Sequence, residues 1–150
     1  MKKILLLGAG RSATVLIHYL LKNAQDWNAV ITVGDQSVEA AASKVGTHAA
    51  GRSISFDATD ETVRSKEIEA HDIVISMLPP HLHILVAKDC IEYKRHLVTA
   101  SYVSPELQHL NEDVKKAGLL FMCEMGLDPG IDHMSAMKMI HAIQQKGGKI

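Results

Sequence analysis

A parallel, doubly wound α/β sheet is the fold class this sequence predicts, and three observations predict it. Short apolar runs rich in branched residues alternate with segments of helical periodicity. A loop of the form Gly8-x-Gly10-x-x-Ala13 stands directly after the first run and opens the first helix. A carboxylate, Asp35, closes the second run at about the distance such a loop requires.

The elements follow in order. Lys3–Leu7 is the first strand, and Ser12–Lys22 a helix with Val15, Leu16, Tyr19 and Leu20 on one face. Ala29–Val33 is the second strand and Ser37–Val45 the second helix, with a weaker third strand near Arg52–Phe56. Asp72–Leu78 is apolar on both faces, which marks an interior strand, and Pro79-Pro80 ends it because neither residue donates to a ladder. A helix over His81–Tyr93 leads to a fifth strand, His96–Ala100. Ser104-Pro105 opens a further helix as cap and first helical residue, and Leu119–Cys123 is the sixth strand. Asp128-Pro129 announces the last helix in the same way, running to about Gln145.

Composition agrees with one folded unit. The chain has 150 residues, 47% hydrophobic and 22% charged, enough to bury roughly two-thirds of its unfolded surface. A formal charge of −1 argues against nucleic acid as a partner, since phosphate binding wants a cationic excess. Cys90 and Cys123 are too few for a disulfide framework and read as small buried hydrophobes. The apolar run after Met1-Lys2-Lys3 stops at Gly8, too short for a signal peptide, and no stretch approaches the roughly 18 residues of a membrane span. A cytoplasmic protein without membrane contact is the expectation.

The glycine loop carries the most chemistry. Gly8 allows the tight turn, Gly10 lets a pyrophosphate approach the backbone, and Ala13 is small enough for close helix–strand packing. The helix N-terminus offers unpaired N–H donors to phosphate, and Arg11 and Ser12 add a cation and a hydroxyl. Asp35, about 22 residues past Ala13, would accept from the ribose hydroxyls. The alternative is a tight turn with a helix-capping Asp. A Rossmann-like sheet binding NAD is the reading, because a carboxylate at Asp35 repels a 2′-phosphate; NADP stands second.

Ligands of this fold sit outside the carboxyl ends of the strands. That places Asp57 on the adenine side, Leu78 and Pro79 beside the nicotinamide ribose, and Tyr102, Glu124 and Asp128 as the nearest titratable groups. Nine histidines invite a metal, but His81 and His83 do not face one another on a helix and have no carboxylate or cysteine at ligand spacing. They read as surface or helix-terminal residues, and no metal is expected. Met134, Met137, Met139, Ile140 and Ile143 read as a packing stripe.

The segments Gly126–His133 (GLDPGIDH), Ser101–Pro105 (SYVSP), Ile75–Pro79 (ISMLP) and Leu5–Gly10 (LLLGAG) occur in an order that resembles the saccharopine dehydrogenase family, in particular its glutamate-forming reductases of lysine metabolism. The resemblance runs over essentially the whole chain. It implies a two-part enzyme that passes hydride from the CH–NH bond of saccharopine to NAD or NADP, after which water hydrolyses the imine. It also implies that Tyr102 and Asp128 lie near the amino-acid substrate, the catalytic candidates here. NADP-using fungal relatives have a small residue and then Cys-Arg where this chain has Gly34-Asp35-Gln36, which again favours NAD. Residues 1–127 are expected to form the dinucleotide-binding domain, and 128–150 a connecting helix at the start of a substrate domain that these residues lack. A homodimer is the assembly the resemblance allows. Two rivals stay open: a polyamine-type relative, such as carboxynorspermidine dehydrogenase or homospermidine synthase, and a non-catalytic NAD-sensing module.

Overall fold

The central strand, β1 (Lys2–Leu7), explains the two layers of the molecule through its alternation. Ile4 and Leu6 face one side and join a core with Ile17, Leu20 and Leu21 of helix α1 (Thr14–Asn23) and Ala41 and Val45 of α2 (Val38–Val45). Leu5 and Leu7 face the other. There they meet Ile68 of α3 (Glu61–Glu69), Val86, Ala87 and Cys90 of α4 (His83–Glu92) and Leu107 of α5 (Pro105–His109). Each fully buried Leu, Ile or Val stabilises by about 1.5–3 kcal/mol, so the sheet is held from both faces.

The computed structural model describes residues 1–149. The remaining strands are β2 (Ala29–Asp35), β3 (Gly51–Ser55), β4 (Ile73–Ser76), β5 (His96–Thr99) and β6 (Phe121–Met122), and the remaining helices α6 (Asn111–Lys116) and α7 (Ile131–Gln145). All strands are parallel, in the order β3-β2-β1-β4-β5-β6. The chain turns one way from β1 to β2 and β3 and the other way to β4, β5 and β6. The resulting switch point lies between β1 and β4, where this architecture leaves a crevice at the strand ends. Leu7 pairs with Gly34 on one side and Ser76 on the other, so the strand ends are level there.

Several local expectations give way to tertiary packing. The buried stripe of the first helix is Ala13, Ile17, Leu20, Leu21 and Ala24, while Val15 and Tyr19 are exposed, Tyr19 lying against Trp27. Small alanines at the ends of that stripe let the helix approach β1, so residue size outweighs the bulk of Val15 and Tyr19. The helix opens with a 3-10 turn at Arg11–Ala13. Beyond Ser76, Met77 still donates to the Leu7 carbonyl at 2.8 Å, but the ladder to β5 ends at Thr99. The segment after Ser104 divides at Leu110 into α5 and α6, and α3 occupies a stretch whose apolar periodicity is weak. Asp128 does not cap α7; Gly130 holds that place, and the Asp128 carboxylate is used elsewhere. The methionines of α7 are exposed, and no residue of that helix is buried. The apolar stripe thus exists without a surface to pack on among the described residues. Cys90 is buried, and burial pushes its thiol far above the ordinary range; Cys123 is half-buried and shifted the same way.

Caps hold the helix starts. Ser37, Asp60 and Ser104 accept from the backbone N–H groups of Ala40, Val63 and Leu107, each cap stabilising by about 1 kcal/mol. Among the described residues no helix is long and apolar enough to cross a membrane.

Two buried histidines make stability pH-dependent. His71 Nδ1 lies 2.6 Å from the Glu67 carbonyl, so that nitrogen carries the proton and Nε2 accepts from Thr32 Oγ1 at 2.8 Å. Burial lowers its pKa, with Lys3 and Arg52 acting the same way and Glu67 opposing. His83 is lowered by burial and by His81. Below about pH 6.5 the unfolded chain takes up protons that the native chain refuses, so stability is lost as pH falls through that value. We expect the unfolding midpoint to be level from pH 8 to 7 and to drop on acidification to pH 5.5. A flat profile down to pH 5.5 would show that both rings charge in place.

Candidate functional site

The ends of β1, β2 and β4 surround a cleft of about 260 Å³. Gly8 and Gly10 form its floor, Asp35 and Gln36 one edge, Phe56 and Ala58 a second, and Met77, Leu78 and Pro79 the third. The Gly8 turn is fixed sterically. Its φ is +98°, and a Cβ there would stand 2.8 Å from the Met77 carbonyl oxygen. Gly10 differs: a Cβ there would meet no atom of the chain within 4 Å. The fold therefore does not need a glycine at position 10, whereas a group lying flat on the loop does.

Asp35 ends β2 and is turned back onto the loop. One carboxylate oxygen accepts from Ala9 N at 2.6 Å and the other from Ser37 N at 3.0 Å. Each oxygen keeps a further lone-pair direction for a hydroxyl. These features fit a dinucleotide: Gly10 leaves room for its pyrophosphate and Asp35 offers acceptors to its ribose. Arg11 and Ser12 are exposed in the 3-10 turn, and Ala13 is buried beneath it. Asp57 stands at the same rim but its Oδ1 accepts from the backbone and hydroxyl of Thr59, at 2.8 and 2.7 Å, which lowers its pKa. It shapes the start of α3, while its neighbours Phe56 and Ala58 line the cleft.

Sequence reasoning missed Lys44. From α2 its ammonium donates to the carbonyls of Ala9 and Gly10, bracing the loop from behind. No motif signals it, because α1 and β2 intervene in the chain and the contact depends on how α2 lies beside the loop.

A second group gathers past β5 and β6. The Tyr102 hydroxyl donates to Asp128 Oδ1 at 2.8 Å, and Tyr102 as a residue is 56% exposed. That hydrogen bond holds the phenol above the ordinary tyrosine value, and burial and the charges of Asp128, Asp132 and Glu124 push the same way. His133 lies edge-on to the Tyr102 ring, with centroids 6.4 Å apart, and its Nδ1 is 2.9 Å from Asp132. Asp128, Asp132 and His133 bring ligand atoms within 4.8 Å of one another, but all three are exposed and the carboxylates already serve Tyr102, Gly130 N and His133.

His83 is helix-terminal, as the sequence reading allowed, but it is not a surface residue. It begins α4, is only 1% exposed and lies under the ends of β4 and β5, whereas His81 is exposed. A helix start over a sheet edge can point its first side chain inward, which linear spacing does not reveal.

This is how a dinucleotide-binding domain of the Rossmann type is built. Comparison with known proteins narrows the class: the chain belongs to the family described as saccharopine dehydrogenase NADP binding domain, whose model matches residues 4–122. It is 40% identical to the NADP(+), L-glutamate-forming saccharopine dehydrogenase of Saccharomyces cerevisiae over 99% of this chain and 32% of that protein. An alpha-aminoadipic semialdehyde synthase of Arabidopsis thaliana is 50% identical over 65% of this chain and 9% of its own length. Among solved structures, apo L-Glu-forming saccharopine dehydrogenase from Saccharomyces cerevisiae superimposes with a TM-score of 0.88 at 37% identity, over the whole of this chain and 33% of that one. The 3-ketoreductase KijD10 from Actinomadura kijaniata, at 15% identity and a TM-score of 0.69, shares the fold alone. The chain thus spans about a third of the length of the saccharopine dehydrogenases it matches.

Proposed function

We propose that this chain is the cofactor domain of an NAD(P)-dependent oxidoreductase acting on the CH–NH bond of saccharopine, with NAD preferred over NADP. The observation that carries the cofactor assignment is the oriented Asp35 carboxylate beside the open face of Gly10. The substrate assignment rests on similarity, over essentially the whole of this chain, to relatives whose names state saccharopine. A bound nicotinamide dinucleotide supplies the hydride acceptor. The chain's own groups bind and orient: the loop amides and the start of the first helix face phosphate, and Asp35 accepts from ribose hydroxyls. Leu78 and Pro79 bound the far end of the cleft with apolar surface.

Tyr102 and Asp128 are the groups offered to the substrate. With its pKa raised, Tyr102 keeps its proton at neutral pH, so it acts as a donor. Asp128, held by that hydroxyl, is the acceptor of the pair. A non-catalytic NAD sensor has no use for this exposed arrangement. In the same reading residues 1–127 are the cofactor domain and 128–150 connect it to a substrate domain. The absence of any buried residue in α7 supports this division; Ile150 lies outside the described residues.

Asp35→Ala tests the cofactor assignment. Losing hydrogen bonds to a charged group costs about 1.5–3 kcal/mol, so NAD affinity falls roughly 10- to 100-fold. NADP affinity falls less, because the carboxylate no longer repels the 2′-phosphate. Calorimetric titration of both cofactors reads the ratio, which a general loosening of the loop leaves unchanged. Unaltered NAD affinity would remove Asp35 from the site. Residues 1–150 alone should bind dinucleotide without oxidising saccharopine; turnover by them would overturn the assignment of substrate recognition to a further domain.

A further inference from the structure

We propose that His83 is a positioning residue, which sets Tyr102 against Asp128 by gripping the end of β5 from the buried side. Its catalytic consequence rests on the function proposed above, but the geometry does not.

Three hydroxyls converge on this one ring. Nδ1 lies 2.8 Å from Ser76 Oγ, and Nε2 lies 2.8 Å from Ser101 Oγ and 3.1 Å from Thr99 Oγ1. Ser76 and Thr99 end the adjacent strands β4 and β5, and both are buried. Packing alone calls for an aliphatic side chain here, as Val86 and Ala87 supply further along α4. A buried imidazole instead carries a desolvation cost, which is offset only when both nitrogens find partners. Hydroxyls can donate or accept, so the ring is satisfied in either neutral tautomer.

The grip reaches the substrate-facing pair through short links. Ser101 immediately precedes Tyr102, and its backbone N donates to Thr99 Oγ1 at 3.3 Å. The Ser101 carbonyl accepts from Glu124 N at 3.0 Å, and the Thr99 carbonyl accepts from Met125 N at 3.1 Å. Glu124 Oε1 in turn accepts from Val103 N at 3.3 Å. The segments carrying Tyr102 and Asp128 are therefore sewn together at the two residues His83 holds. Tyr102 itself is exposed, with only the edge-on His133 ring and the Asp128 carboxylate against it, so the turn beneath it sets where its backbone presents the ring.

The test uses substitutions that separate the two ring nitrogens. Gln at position 83 reaches about as far as Nε2 and keeps the grip on Ser101 and Thr99; Asn reaches only to Nδ1 and keeps Ser76; Leu keeps volume alone. Ser101→Ala removes one contact from a half-buried residue. The readout is the titration of Tyr102, assigned by comparison with Tyr102→Phe and followed by NMR of carbon-labelled tyrosine, together with dinucleotide affinity. The groups facing the Tyr102 hydroxyl are Asp128, Asp132, Glu124 and His133, and none is altered. We expect Tyr102 to fall back towards the ordinary tyrosine value in His83→Leu, His83→Asn and Ser101→Ala, and to stay raised in His83→Gln. Dinucleotide affinity should change less than about threefold, under 1 kcal/mol, since His83 does not line the cleft. If Tyr102 titrates unchanged in Ser101→Ala and His83→Asn, or shifts as much in His83→Gln, the inference is wrong. Should His83→Leu not fold, the other three decide. Because the titration needs no saccharopine, its result is independent of whether saccharopine is the substrate.

Discussion

Gly8→Ala is expected to abolish measurable dinucleotide binding and to destabilise the fold by about 2–6 kcal/mol. Two effects add. A non-glycine residue at φ +98° stores about 1–3 kcal/mol of backbone strain. Its Cβ would also stand 2.8 Å from the Met77 carbonyl oxygen and 3.0 Å from the carbon, and forcing such a contact costs typically 1–3 kcal/mol. Neither backbone is free to retreat. Gly8 N donates to the Gly34 carbonyl at 2.8 Å, and Met77 N to the Leu7 carbonyl at 2.8 Å. Gly10→Ala is the informative contrast. With no protein atom within 4 Å of the new methyl, thermal stability should stay within about 2 °C, under about 1 kcal/mol. Dinucleotide affinity should nevertheless drop at least about tenfold, because the methyl fills the space where the pyrophosphate approaches. Thermal melts and cofactor titrations of the two variants read both effects. Normal binding by Gly10→Ala would show that the loop is not the phosphate site.

Asp89→Ala is expected to cost about 3–5 kcal/mol, the effect of stranding a buried charge. Arg64 on α3 and Asp89 on α4 form an ion pair at 2.7 Å with side chains only 8% and 9% exposed. Ser65 also donates to Asp89 at 3.3 Å, and Arg64 Nη1 donates to the Ala58 carbonyl at 2.7 Å at the cleft rim. Removing the carboxylate leaves the guanidinium in a dry site with a single carbonyl partner. For a chain of this size the melting temperature should fall by roughly 6–20 °C. The double variant Arg64→Met, Asp89→Leu should recover much of the loss, since apolar replacements remove both desolvation costs. Equal destabilisation by the single and double variants would show that packing, not charge, holds α3 to α4.

Much of the cofactor side was legible from residues alone. Gly8, Gly10 and Asp35 belong to a motif whose spacing is set by one strand, one turn and one helix, so linear distance is a good guide to space. The pair past β5 and β6 was legible only in part. Tyr102 and Asp128 could be picked out by resemblance, yet their hydrogen bond depends on two loops that leave different strands. His83 was legible as a helix-terminal residue but not as a buried one, because helix periodicity says which positions share a face and not which face the sheet takes. The capping role expected of Asp128 failed for a related reason: a cap competes with any partner that tertiary structure supplies, and Tyr102 is that partner.

The six strands in their chain order, the glycine loop and the acid at the end of β2 were determined by the sequence itself. Each follows from local sterics and from apolar periodicity, which are properties of neighbouring residues. The tertiary structure alone decided which stripe of α1 is buried, that Lys44 braces the loop, that Arg64 meets Asp89, and that His83 lies beneath Ser101. Those contacts join residues 18 to 35 positions apart. They form only when the parallel sheet brings successive strand ends to the same edge, where side chains distant in sequence share one small volume.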